Sequence, residues 1–155
     1  MFTGDRSGDW LYRALHQYGF ASQPDAISSD DGLVLTDCYI TAACRCAPPM
    51  NKPTREEFQS CRPYLEDEFS LLSNRKIVLG LGKLGFDAVR SILGVTKDAA
   101  DTKITFAHGC AFKLSDESWL LGSYHPSQQN TFTGRLTRTM FHSVFRRART
   151  ILDKG

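Results

Sequence analysis

A chain of 155 residues with 41% apolar content and a formal charge of +2 has room for one compact domain, residues 1–155, and little room for two. No apolar run reaches the roughly 20 residues of a membrane span, and Met1–Arg6 has no apolar signal core, so a cytoplasmic location and no membrane contact are expected. Five cysteines (Cys38, Cys44, Cys46, Cys61 and Cys110) make an odd set without secretory context, which argues against a disulfide framework.

In chain order, Ser7 to Tyr18 reads as a helix with Trp10, Leu11, Ala14, Leu15 and Tyr18 on one face and Gly19 as its stop. Asp5, Ser7 and Asp9 crowd its start, so the domain reads as one whose first strand lies upstream. Cys38 to Ala43 has the look of a buried strand, and a loop with Pro48, Pro49 and Pro53 follows. Thr54-Arg55-Glu56-Glu57 is a capping box: the Thr54 hydroxyl and the Glu57 carboxylate can each serve the other's backbone amide. It opens a helix with Phe58, Cys61, Leu65, Phe69 and Leu72 on its apolar face. Ile77 to Leu81 is a short, wholly apolar strand of the kind found in parallel sheets. Leu84 to Leu93 reads as a helix, Ile104 to Ala107 and Trp119 to Tyr124 as strands, and Thr137 to Leu152 as a final amphipathic helix. The alternation predicts an α/β domain, a three-layer α/β/α sandwich with a mainly parallel central sheet.

Gly80-Leu81-Gly82-Lys83-Leu84-Gly85 matches the dinucleotide fingerprint in form. No acid follows at the end of the next expected strand to hold a ribose, so the glycines read as a tight strand-to-helix turn. Between Trp119 and Leu152 there is no Asp or Glu, while Arg135, Arg138, Arg146, Arg147 and Arg149 all fall there. That pattern fits a solvated basic helix or a phosphate-facing edge, and charge alone does not choose. Cys46 and Cys61 could be core residues or metal ligands on a loop and a facing helix; two thiolates do not complete a four-ligand site. His16 and His142 read as helix-surface residues.

The segment from His125 to Thr137 is the most unusual. It is a long polar loop at the carboxyl end of an apolar strand, where open α/β sheets place ligands. Pro126 holds His125 in an extended conformation, and Asn130, Thr131, Thr133, Gly134 and Arg135 supply donors for phosphate and a polar base.

Three stretches, Phe2 to Gly8, Arg45 to Cys61, and Tyr124-His125-Pro126-Ser127-Gln128-Gln129-Asn130 through Thr137, resemble in order and spacing the iron–sulfur uracil-DNA glycosylases, most closely the family 5 branch. The resemblance covers essentially the whole chain. It implies a base-excision hydrolase that flips a deaminated nucleotide out of DNA and cleaves its N-glycosidic bond, working as a monomer. It implies further that His125 stabilises the departing base and that Phe2 stacks on it. The neighbouring Gly4, with Ser127, Asn130, Gly134 and Arg135, would contact substrate and DNA. Cys46 and Cys61 match two of the four ligands of a 4Fe–4S cluster. The family's other cysteine pair and its water-positioning loop lie before Phe2 in the pattern, so the chain reads as starting inside the motif, and Asp5 is the nearby acid that could assist a water. Ala42 stands where strictly uracil-reading relatives of the family place an Asn, which implies broader substrates, hypoxanthine as well as uracil.

Overall fold

The computed structural model describes residues 6–45 and 53–154. Among these, the elements run α1 (Arg6–Gln17), α2 (Arg55–Leu71), β1 (Ile77–Leu81), α3 (Gly82–Ile92), β2 (Ala111–Lys113), β3 (Trp119–Ser123), α4 (Gln128–Phe132) and α5 (Arg138–Lys154). The sheet order is β1-β3-β2, with β1 parallel and β2 antiparallel to β3. The chain is α/β as expected, and among the described residues the sheet has three strands and is mixed.

Strand periodicity divides the interior in two. Ile77, Leu79, Leu81, Trp119 and Leu121 pack with α1 and α5 around Trp10, Leu11, Phe141 and Phe145. The alternate residues Val78 and Leu120 join Leu65 and Phe69 of α2 and Phe86 and Val89 of α3. A side-chain repeat of two residues sends neighbours to opposite faces, so each strand is covered by helices on both. Phe86, Leu120, Leu121 and Phe141 are wholly buried. Among the described residues no helix is long and apolar enough to cross a membrane.

The local signals act as their chemistry requires. The Thr54 hydroxyl accepts from the Glu57 amide at 3.2 Å, and the Glu57 carboxylate accepts from the Thr54 amide at 2.6 Å. Gly19 ends α1 with φ +74°. Beside it, the Arg149 guanidinium of α5 donates to the carbonyls of Tyr18 (2.9 Å) and Gly19 (3.2 Å) and lies 4.0 Å over the Phe20 ring.

Three expectations need correction. Ile104 to Ala107 is not a strand: Ile104 is buried, but its amide bonds to Thr96 across a loop, and the strand beside β3 is β2 instead. Cys38 to Ala43 is neither buried throughout nor laddered among the described residues, and Tyr39 is 56% exposed. Its polar side chains reach α2, where Glu68 accepts from Tyr39 Oη (3.0 Å), Thr41 Oγ1 and Arg45 Nη2 (2.6 Å). His142 is half-buried rather than on the helix surface, its ring 5.9 Å from Tyr18 and its Nδ1 without a partner among the described residues. His16 is exposed as expected.

Candidate active site

β1 and β3 are parallel and end in register, Leu81 opposite Ser123, so the turns that leave them meet at one edge of the sheet. Open α/β sheets bind ligands at this carboxyl edge. The residue after β1 is Gly82 with φ +79°, and a Cβ there would lie 3.2 Å from the His125 Cβ. Glycine therefore does two things at this position. It takes a backbone conformation that L side chains rarely adopt, and it leaves room for the imidazole. Gly80 is needed for a different contact, since a Cβ there would come within 2.5 Å of the Phe86 Cα and push α3 off β1. The glycine motif that resembles a nucleotide fingerprint thus seats α3 and makes space for His125.

The polar loop after β3 is internally braced. Pro126 is wholly buried and anchors its base. Ser127 caps the short helix α4, its hydroxyl accepting from the Asn130 amide at 3.4 Å. Asn130 Nδ2 donates to the His125 carbonyl at 2.9 Å, and the Asn130 carbonyl accepts from the Leu136 amide at 2.9 Å. Gly134 turns the chain with φ +73°. Arg135 then places its guanidinium 4.7 Å over the Tyr124 ring, beside His125. At the end of α4 the exposed Phe132 ring lies under the Arg6 guanidinium, 4.3 Å away.

His125, Ser127, Asn130, Gly134 and Arg135 are thus gathered in one loop, as the sequence predicts. Ser127 and Asn130 use part of their hydrogen bonding on the loop itself. Phe2, Gly4, Asp5 and Cys46 lie outside the described residues. Cys61 is buried on α2, and its Sγ accepts from the Arg45 amide at 3.3 Å. Among the described residues no three His, Cys, Asp or Glu side chains gather as a metal site. Ala42 lines an open hollow of about 390 Å³ with Ile40, Thr41, Cys44, Arg45 and Glu68.

Sequence reasoning missed two neighbours that hold this edge, Gly82 and His108, and the role of Glu68 in fastening the 38–45 segment to α2. Gly82 was visible inside its motif, but only the parallel pairing of β1 with β3 brings it to His125. Burial would raise the Glu68 carboxyl, yet hydrogen bonds from Thr41 and Tyr39 and the charge of Arg45 outweigh it and hold the group below the usual range. His108, half-buried, is held below the ordinary histidine value by its burial.

The sequence profile of the uracil DNA glycosylase superfamily matches residues 1–149. A type-5 uracil-DNA glycosylase of Mycobacterium leprae is 46% identical over 150 residues, covering 96% of this chain and 64% of that protein. One from Thermus thermophilus is 45% identical over 96% of this chain and 65% of its own length, and one from Pyrobaculum aerophilum is 41% identical over 96% and 62%. The chain thus spans a little under two thirds of the length of these relatives. With its braced histidine loop at the carboxyl edge of an α/β sheet, the chain belongs to the uracil DNA glycosylase superfamily.

Proposed function

We propose that this chain carries the base-release machinery of a DNA-repair glycosylase that hydrolyses the N-glycosidic bond of uracil, and of other deaminated bases such as hypoxanthine, in DNA. The observation that carries this reading is His125, seated against Gly82 at the carboxyl edge of the sheet with its carbonyl tied to Asn130. As the bond breaks, the sugar becomes cation-like and the base gathers negative charge on its oxygen. A donor already aimed at that oxygen lowers the barrier without reorganising in the reaction. Arg135 and the acid-free stretch beyond it favour a phosphate backbone beside the loop. Phe2 is read as the stacking ring, Gly4 as its close backbone neighbour, and Asp5 as the group that assists the water.

Cys46 and Cys61 are read as two ligands of a 4Fe–4S cluster. The amide donated to Cys61 Sγ fits this role, because N–H···S bonds stabilise thiolate charge at such clusters. The cluster would tie the segment after Arg45 to α2 and supply no step of the hydrolysis. Ala42 offers no side-chain amide to discriminate uracil, which favours the wider substrate range. The protein is read as a cytoplasmic monomer.

Single-turnover cleavage of duplexes carrying one uracil or one hypoxanthine tests the reading. Abasic product from both is the expected result. Product from uracil alone would remove the broad specificity, and DNA binding without any product would leave a DNA-binding relative that does not release bases.

A further inference from the structure

We propose that His108 is the positioning residue for His125, acting as a neutral imidazole whose proton is on Nε2. The two nitrogens face partners that cannot change roles. Nε2 lies 3.2 Å from the Met140 carbonyl, which only accepts, so this nitrogen carries the hydrogen. Nδ1 lies 3.1 Å from the Tyr124 amide, which only donates, so this nitrogen presents its lone pair. The ladder of β3 ends at Ser123, and Tyr124 is the first residue beyond it. His108 therefore takes up the backbone donor that the sheet no longer satisfies, immediately before His125. The Ser123 hydroxyl donates to the Tyr124 carbonyl at 3.0 Å and is 3.5 Å from Nδ1, so both polar groups of Tyr124 are fixed. The Tyr124 ring packs on the His108 ring at 5.1 Å.

A second proton on His108 would turn Nδ1 into a donor pointed at the Tyr124 amide. The backbone entering His125 would then lose its acceptor and shift. The surroundings oppose that proton. From α5, the Arg147 guanidinium donates to the Gly109 carbonyl at 3.2 Å, while the Met140 carbonyl on Nε2 favours the charged ring. From the β3 end come Ser123 and Tyr124, with Arg135 over the Tyr124 ring. On its own loop is Cys110, whose thiol burial pushes up and so keeps neutral. None of these partners is a carboxylate, and burial outweighs the Met140 carbonyl and lowers the pKa of His108 itself.

The inference rests on the reading that His125 meets the base, and its test separates the two. In the full chain, long-range ¹H–¹⁵N correlation should show the Nε2–H tautomer of His108 at neutral pH. The Tyr124 and His125 amide signals should move together as His108 titrates below its ordinary value. An Nδ1–H tautomer, or a His108 titration that leaves those amides unmoved, would overturn the proposal whether or not the chain releases uracil. In the activity arm, His108→Leu should slow single-turnover release on the order of 10–100-fold, the scale of a small misplacement, with DNA affinity unchanged. His108→Asn, whose amide oxygen can accept from Tyr124, should recover most of that loss and abolish the acid limb of the rate profile. Full activity in His108→Leu would count against positioning. Absence of product in every variant and in the native chain would sink the functional reading alone.

Discussion

Two segments leave the core as irregular chain, and they are held in opposite ways. The loop after β3 is fixed by its own backbone and short side chains, with Asn130 on the His125 carbonyl, Ser127 on the Asn130 amide and His108 on the Tyr124 amide. The stretch 38–45 has no ladder among the described residues and is fastened through side chains, chiefly by three donors converging on Glu68. The first arrangement sets the position of the His125 side chain, to which the proposed function assigns the departing base. The second sets only the distance between a segment and the helix that carries Cys61. Chemistry that depends on fractions of an ångström should reside in the first, and simple stability in the second.

The sharpest way to break this contrast is His125→Ala. Losing the donor should slow single-turnover uracil release by about 10²–10³-fold while leaving the melting temperature near that of the native chain. An equal loss of stability would mean that His125 is part of the brace, not its cargo. Gly82→Ala comes next. With φ at +79° and the new methyl 3.2 Å from His125, it should cost about 1–3 kcal/mol in urea unfolding and also slow base release.

Glu68→Gln probes the other segment. It keeps an acceptor but removes the charge, and should cost about 1–2 kcal/mol with little change in the rate of the chemical step. Because the folded carboxyl titrates below its ordinary value of 4.5, its contribution is complete above that pH and is lost as pH falls through the lower folded value. The Gln variant should therefore show a flatter acid limb of stability than the native chain. The smallest effect is expected from Thr54→Ala, which opens the capping box of α2 at about 1 kcal/mol and should not alter release of the base, as measured by the same unfolding and cleavage assays.

Much of this architecture was legible in the residues. The Thr54–Glu57 box, the apolar run at β1, Trp119 to Ser123 and the period of α5 each carry a local signal whose cause is also local. The errors share one origin. Apolar periodicity reports burial, whereas a strand also needs a backbone partner. Ile104 is buried and yet bonds to Thr96, while the three residues of β2 pair without a run long enough to be noticed. The site divided in the same way. The loop from His125 to Arg135 could be found from its polarity and place. Gly82 and His108 could not, because their roles depend on which strand lies beside β3 and on how α5 crosses the loop.

Arg149 is a charge committed to the interior of the fold. Counted along the chain, it is one of five arginines in an acid-free stretch. In space its guanidinium holds two carbonyls at the end of α1 and covers Phe20, with 26% of the side chain exposed. A cation used in this way displaces few counterions when DNA arrives. Each phosphate neutralised contributes a slope of about 0.9 to the fall of log affinity with log salt. The salt dependence of binding should consequently be shallower than five arginines would give, and Arg149→Ala should leave that slope nearly unchanged while it loosens the junction of α1 with α5.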